Sequence, residues 1–87
     1  MSIKIKKVNL EKIKKLRKKS GLSVEDVSRN LGYKTVNGYY YLETGRNKFS
    51  AENLAIVAEI LGVSISALFF EDNIAKMAIK EGAEQND

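Results

Sequence analysis

Residues 10–32 read LEKIKKLRKKSGLSVEDVSRNLG, a stretch with clear helix start and stop signals. Asn9 is a good N-cap, and the apolar residues after it recur at helical spacing until Gly21, which is typical of a helix stop. Ser23 then begins a second helix, because SVED places a hydroxyl at the N-cap and a carboxylate three residues later, close to a capping box. The stretch therefore predicts two short helices, the second of which ends at Gly32.

Two later segments also begin with a Ser at an N-cap position. Ser50 begins the amphipathic run SAENLAIVAEILG, and Ser64 precedes ISALFF, which predicts a helix of about two turns. Residues 73–81 place Ile74, Met77 and Ala78 on one side and predict one more helix. Because a chain this short builds one small core, we expect a single all-α domain of five to six helices.

The segment YKTVNGYYYLE, residues 33–43, supports two interpretations. Asn-Gly between β-prone residues is a strong hairpin signal, and the segment would then be the wing that follows a recognition helix at residues 23–31. A lone hairpin is marginal in water, however, and the chain offers no third strand except its N-terminal arm. A helix over residues 36–44 instead buries Tyr39, at a cost of about 1 kcal/mol for Gly38. We favour the helix and keep the wing as the alternative.

The 87 residues include no Cys, no His and no Trp. This composition removes the usual ligands of a structural zinc ion, any disulfide and the usual general base near neutral pH. No pair of Ser, Asp, Glu and Lys side chains stands out as a catalytic constellation, so we expect no enzyme, no metal and no cofactor. The chain also lacks an apolar run long enough for a membrane span or a signal peptide, and we expect a cytoplasmic protein.

Charge is distributed unevenly along the chain. Residues 1–48 carry 13 Lys and Arg against four Asp and Glu, whereas residues 49–87 carry two against seven. A basic half joined to an acidic half indicates that one face meets a polyanionic partner. We therefore divide the chain into a basic N-terminal arm (residues 1–8), a helical domain (9–70) and an acidic C-terminal segment (71–87).

Four sequence landmarks occur in order within the helical domain: L-R-x-x-x-G-L-S at 16–23, Leu31-Gly32, L-E-x-G at 42–45 and L-G-V-S at 61–64. As a set they resemble the phage repressor and Cro family of helix-turn-helix domains, also called the XRE family. The resemblance implies a lambda-repressor-like fold in which the helix after Gly32 reads the major groove of double-stranded DNA. It further implies a transcriptional regulator, and we expect a repressor of the phage or mobile-element type.

The resemblance also carries DNA-contacting positions onto this chain. Counting back from Glu43, the base-contacting residues are Thr35, Val36, Asn37 and Tyr41, with Tyr40 beside them. Asn37 is the sharpest candidate because its amide can pair bidentately with adenine, although an Asn at this point could also simply cap the helix. The family's phosphate-contacting positions correspond to Ser23, Lys34, Arg46, Asn47 and Lys48.

The family pairs an Arg of the first helix with the Glu at the end of the recognition helix, which implies a structural ion pair between Arg17 and Glu43. The chain departs from the family pattern at two places. The stretch between Gly32 and Glu43 is one residue longer than usual, so the register at residues 33–36 stays open. Val24 stands where many members carry a Gln that contacts the DNA backbone.

The C-terminal segment leaves a choice open. Phe70, Ile74 and Met77 are predicted to form an apolar patch, which serves either as a homodimer interface or as the face that packs a sixth helix onto its own domain. Two other functions remain as alternatives. The chain would be an antitoxin if this segment also bound a toxin, or a protein-binding module that kept the fold without DNA contact.

Overall fold

Four α-helices and one short 3-10 helix make up residues 6–70, the part of the chain that the computed structural model describes. In chain order they are α1 (Leu10–Lys19), α2 (Val24–Asn30), α3 (Asn37–Glu43), α4 (Ala51–Leu61) and the 3-10 helix η1 (Ile65–Leu68). The predicted all-α architecture is confirmed over these residues. The helix predicted at residues 73–81 lies outside the described residues.

The segment ISALFF was predicted as a helix of about two turns, and this prediction is wrong: only the four residues of η1 are helical. Phe69 is extended, with φ −104° and ψ 159°, and forms an antiparallel β-bridge with Val8. The backbone N–H of Phe70 also donates to the carbonyl of Lys7 at 2.9 Å. This pairing draws the chain out of the helix, so residues 6–70 hold four α-helices plus η1 and fall short of the predicted five to six helices.

Side-chain caps begin three of the four α-helices between residues 6 and 70, as the sequence predicts. The side chains of Asn9 and Ser50 each accept a hydrogen bond from the backbone N–H three residues later, at 3.1 and 3.0 Å. At α2 the capping box is complete: Ser23 Oγ accepts from the Asp26 N–H, and Asp26 Oδ2 accepts from the Ser23 N–H, both at 2.9 Å. The bond from the Ser23 backbone lowers the pKa of Asp26.

The segment with the hairpin signal forms α3, so the hairpin and wing interpretations are wrong. Tertiary packing overrides the local signal, because the helix buries Tyr39 and Leu42 completely or nearly so. Val36 is the N-cap residue and makes no side-chain cap hydrogen bond, while Asn37 is the first helical residue. Asn37 therefore does not cap the helix, and its amide is exposed for other contacts.

The core lies where all the helices converge. Its buried apolar side chains come from each of the five elements: Ile13, Val27, Tyr39, Leu42, Leu54, Val57, Ala58 and Leu68. Tyr39 is the largest of them, and its ring meets that of Phe49 edge-on with centroids 6.4 Å apart. A tyrosine of α3 therefore fills the centre of the core, which fixes which face of α3 points outward.

A buried ion pair joins α1 to α3. Arg17 Nε donates to Glu43 Oε2 at 2.7 Å and Arg17 Nη2 donates to Glu43 Oε1 at 3.0 Å, a bidentate arrangement. Glu43 Oε2 also accepts from the Tyr39 hydroxyl at 2.8 Å, and Arg17 Nη1 donates to the carbonyl of Leu22 at 2.8 Å. The hydrogen bonds to Glu43 raise the pKa of Arg17. Because both charges are paired and hydrogen-bonded, the cluster is tolerated in the interior.

Replacing Arg17 by Met should lower the free energy of unfolding by about 3–5 kcal/mol, because Glu43 is left as an unpaired buried charge. Adding Glu43→Gln should recover most of this loss, since the charge disappears and the Gln side chain can still accept from Tyr39. Urea denaturation measures both effects. Lys15→Ala, an exposed change on the same helix, serves as the control and should stay within about 0.5 kcal/mol of the parent chain. An unchanged urea midpoint for Arg17→Met would contradict the structural role of the pair.

The Tyr39 hydroxyl predicts a difference in alkaline stability. Burial, followed by the hydrogen bond to Glu43, raises the pKa of Tyr39 above the ordinary value of about 10. The native state thus keeps a proton that the unfolded chain loses, so the free energy of unfolding falls as the pH rises above about 10. Tyr39→Phe removes this titration, and at neutral pH it costs about 1.5–3 kcal/mol for the lost bond to a charged group.

Urea midpoints at about pH 8 and about pH 11 for the parent chain and Tyr39→Phe test this difference. The stability gap, which is the difference in the free energy of unfolding between the parent chain and Tyr39→Phe, should narrow at the higher pH. Other titrating groups are common to both proteins and cancel in the comparison. A gap that stays constant between the two pH values would show that Tyr39 ionises as easily in the native state as in the unfolded chain.

Candidate nucleic-acid interface

α2 and α3 form the helix-turn-helix, and Ser28 of α2 joins them. The Ser28 hydroxyl donates to the carbonyl of Thr35 at 2.6 Å and accepts from the Tyr39 N–H at 3.4 Å. Ser28 is 1% exposed, so these hydrogen bonds are shielded from water. They fix the start of α3 against α2. Sequence reasoning missed Ser28, because a Ser within a helix has no spacing signature that marks a buried contact.

The predicted base-contacting residues line one surface, which we call the α3 face: Thr35, Val36, Asn37, Tyr40 and Tyr41. Val36 and Tyr40 are 44% and 47% exposed. Thr35 and Asn37 are also exposed, whereas Tyr41 is half-buried. Positions 36, 37, 40 and 41 share a side of the helix because they are three and four residues apart, and the buried Tyr39 and Leu42 lie opposite. The structure therefore brings this predicted set together.

Arg46 lies against the α3 face. Its guanidinium carbon is 4.7 Å from the centroid of the Tyr41 ring, within range of a cation–π interaction. The Asn47 N–H donates to the Tyr41 carbonyl at 2.9 Å, which holds the loop after α3 against the end of the helix. Tyr40 and Tyr41 are neighbours, with ring centroids 6.0 Å apart. The loop and the helix thus present aromatic rings and a cation side by side.

Lysines of α1 lie next to the α3 face. One groove, the α1 groove, is lined by Lys14, Lys18 and the acidic Glu11 on one side and by Tyr40 and Thr44 on the other. From the charge distribution, the sequence predicts only that a basic face meets a polyanionic partner, and it does not single out these lysines. Periodicity alone does not show which lysines of α1 face α3, because that depends on how the two helices pack.

A second basic groove, the arm groove, adjoins the loop after α3. Lys6 and Lys7 of the N-terminal arm line it together with Asn47 and Lys48 of that loop. The bridge between Val8 and Phe69 holds the arm in place. The predicted phosphate-contacting Asn47 and Lys48 are therefore joined by two lysines that are some 40 positions earlier in the sequence, a proximity that no local pattern signals.

Two other predicted phosphate-contacting residues lie before α3. Lys34 is exposed in the turn and lines a shallow pocket with Arg29 of α2. Ser23 is exposed at the start of α2, where its Oγ accepts from the Asp26 N–H. Its hydroxyl proton stays available for donation to another acceptor. The structure thus leaves both side chains accessible without bringing them into either basic groove.

The predicted dimer residues are only partly within the described chain. Phe70 is 50% exposed, and its backbone N–H is bonded to Lys7. Ile74 and Met77 lie outside the described residues. Between residues 6 and 70 there is no group of three or more acidic or metal-ligating side chains that could hold a metal ion. Over the same range, every helix is too short or too polar to span a bilayer.

Comparison with known proteins gives one family match. The model of the helix-turn-helix family HTH_3 matches residues 13–68, which run from the middle of α1 to the end of η1. No curated protein and no solved structure matches the sequence. The matched span includes Arg17, Glu43 and the whole α3 face, and this family consists of DNA-binding regulatory domains and not of enzymes. The chain therefore belongs to the helix-turn-helix family of the XRE type.

Proposed function

We propose that the chain is a sequence-specific repressor of the phage or mobile-element type, which works in the cytoplasm by occupying an operator in double-stranded DNA. The observation that carries this proposal is the α3 face, where Asn37 and Tyr40 are exposed and Tyr40 shares a groove with two lysines of α1. A recognition helix needs side chains that read base edges and cations nearby that bind phosphates. This surface offers both.

Base reading is assigned to the first turns of α3. The Asn37 side chain can pair bidentately with adenine, because its Oδ1 accepts from the N6 amino group while its Nδ2 donates to N7. Such a pair contributes about 1–3 kcal/mol of discrimination. Tyr40 and Tyr41 offer ring edges to a thymine methyl group and hydroxyls to a phosphate. Thr35 and Val36 at the start of the helix provide a small polar and an apolar contact.

Phosphate binding is assigned to residues on either side of α3. Arg46, Asn47 and Lys48 follow the helix, while Lys34 and the Ser23 hydroxyl precede it. Because phosphate contacts fix the register of the protein on the duplex, these residues would place Asn37 over its base step. The lysines of the α1 groove and the arm groove extend the same positive surface and strengthen binding through counterion release.

We also propose that the repressor acts as a homodimer. A domain of this size covers little DNA alone, and a two-fold dimer that reads half-sites about one helical turn apart gains affinity and specificity. The exposed Phe70 is the described part of the proposed interface, which Ile74 and Met77 would complete. A protein partner at the C-terminal segment, as in an antitoxin, is the alternative use of these residues.

Removing the lysines of the α1 groove should flatten the salt dependence of DNA binding. Each phosphate contact contributes about one unit to the slope of log K against log salt, so Lys14→Ala with Lys18→Ala should lower the slope by about two units. The matched control is Lys15→Ala with Lys19→Ala, which removes the same charge from exposed α1 positions outside both described grooves. Equal slopes for the two double variants would contradict a phosphate-binding role for the α1 groove.

Selection of bound duplexes from a random DNA library tests the proposed function itself. At physiological salt and with nonspecific competitor, the parent chain should enrich an inverted repeat with half-sites about one helical turn apart. Asn37→Ala should enrich a related repeat that has lost its preference at one base step per half-site. Asn30→Ala, an exposed Asn at the end of α2, is the control and should enrich the parent sequence.

The other outcomes of this selection separate the alternatives. Retention of DNA without enrichment would mean that only the basic surface acts, and sequence-specific repression would be wrong. No retention at all would contradict DNA binding by this chain and favour the protein-binding module. Enrichment of single half-sites by a monomer would leave the base reading intact and contradict the homodimer.

A further inference from the structure

Tyr33 occupies the turn between α2 and α3, and it packs against the one glycine inside α3. A Cβ atom added to Gly38 would lie 2.2 Å from Tyr33 Cγ and 2.4 Å from Tyr33 Cδ1. These distances are far below any normal carbon–carbon contact, and the atoms belong to the root of the side chain and not to its flexible end. The position of Tyr33 therefore requires Gly at residue 38.

The other end of Tyr33 is fixed to α4. Asn53 Nδ2 donates to the Tyr33 hydroxyl at 3.0 Å, and Asn53 lies in the first turn of α4, where its N–H bonds to Ser50 Oγ. The Tyr33 backbone N–H donates to the carbonyl of Ser28 in α2 at 3.0 Å. One residue in the turn thus contacts α2, α3 and α4.

These contacts contribute little to the core. Tyr33 is 36% exposed, and its bond to Asn53 is open to solvent, where a hydrogen bond adds little net stability. The chain nevertheless accepts a Gly in a helix of seven residues, which is unfavourable relative to Ala. The contacts surround the turn between α2 and α3, and this turn leads directly into Thr35, Val36 and Asn37.

We propose that Tyr33 is a positioning residue for sequence recognition. Its ring packs on Gly38 and its hydroxyl is bonded to Asn53, so that it holds the turn between α2 and α3 and the first turn of α3 presents Asn37 at a fixed depth and angle. This inference rests on the proposed DNA-binding function and adds to it the residue that fixes how the α3 face is oriented toward the bases. Tyr33 acts through α3 and does not itself contact a base.

Two single variants remove the same hydrogen bond from opposite ends, Tyr33→Phe and Asn53→Ala. Each should reduce by about threefold the ratio of affinities for the selected duplex and a scrambled duplex, and Tyr33→Ala should reduce it by about tenfold. The double variant Tyr33→Phe with Asn53→Ala should lose no more than either single variant, because both act through one bond. The salt slope should stay unchanged, since no phosphate contact is removed.

A rescue experiment tests the contact with Gly38. Gly38→Ala in the parent chain should displace the Tyr33 ring and lower the same affinity ratio by about tenfold. In the Tyr33→Ala background, Gly38→Ala should cause no further loss and should raise the melting temperature, because the ring is gone and Ala favours the helix. Equal effects of Gly38→Ala in both backgrounds would overturn the proposed contact.

Two further results would overturn the positioning role. A fall in affinity for selected and scrambled duplexes by the same factor would mean that Tyr33 only supports stability. A loss for Tyr33→Phe that Asn53→Ala does not share, with a lower salt slope, would mean that the hydroxyl contacts DNA directly.

A readout without DNA separates this inference from the proposed function. If the parent chain does not prefer any duplex, the proposed function fails. Amide hydrogen exchange over residues 37–40 then tests separately whether Tyr33 acts as a clamp, that is, whether its contacts hold the start of α3 in place. Faster exchange at these amides in both Tyr33→Phe and Asn53→Ala would support a Tyr33 clamp on α3. Exchange equal to that of the parent chain would overturn it.

Discussion

The bidentate ion pair between Arg17 and Glu43 is the interaction on which the rest of the structure depends. It fastens the end of α1 to the end of α3, and Tyr39 shares the same carboxylate while filling the centre of the core. The burial of these groups fixes the orientation of α3 about its own axis. In any other orientation the apolar residues would be exposed or a buried charge would lose its partner. The α3 face is the side that remains.

The same rotation sets the electrostatics of the surface. With α1 locked to α3, Lys14 and Lys18 flank a groove whose other side is Tyr40 and Thr44. Pairing of the N-terminal arm with the end of η1 places Lys6 and Lys7 beside Lys48. Cations from three separate stretches of sequence thereby lie beside α3 or the loop that follows it, an arrangement that suits a DNA-binding surface for both register and affinity.

Local rules predict much of this fold from the sequence. The caps at Asn9, Ser23 and Ser50 and the apolar periodicity identify α1, α2 and α4. The prediction of α3 depends instead on the whole chain, because a hairpin at this position would lack a third strand to stabilise it. The prediction for ISALFF fails for a different reason. The extended backbone of Phe69 is imposed by Val8, more than 60 positions away in the sequence, and periodicity within a segment carries no information about such a partner.

The features of the candidate site are also predictable from the sequence only in part. A resemblance to the family is enough to identify the α3 face, because its residues are counted from one landmark, Glu43. The basic grooves and the seat of Tyr33 on Gly38 depend on tertiary distances. In the sequence Gly38 is a helix-breaking residue beside Asn37 and suggests a turn, whereas in the structure it is the space that a neighbouring ring requires. Where tertiary packing overrides a local preference in this way, the sequence alone does not predict the contact.

We expect the α3 face and its flanking cations to contact DNA, and an NMR titration can test this contact. The amide signals of the 15N-labelled chain would be followed while the duplex enriched by selection is added. The largest chemical-shift changes should fall on residues 35–41 and 46–48, with smaller changes at Lys14 and Lys18. Shifts confined to α4 and the surface around Phe70, with the α3 face unaffected, would contradict it.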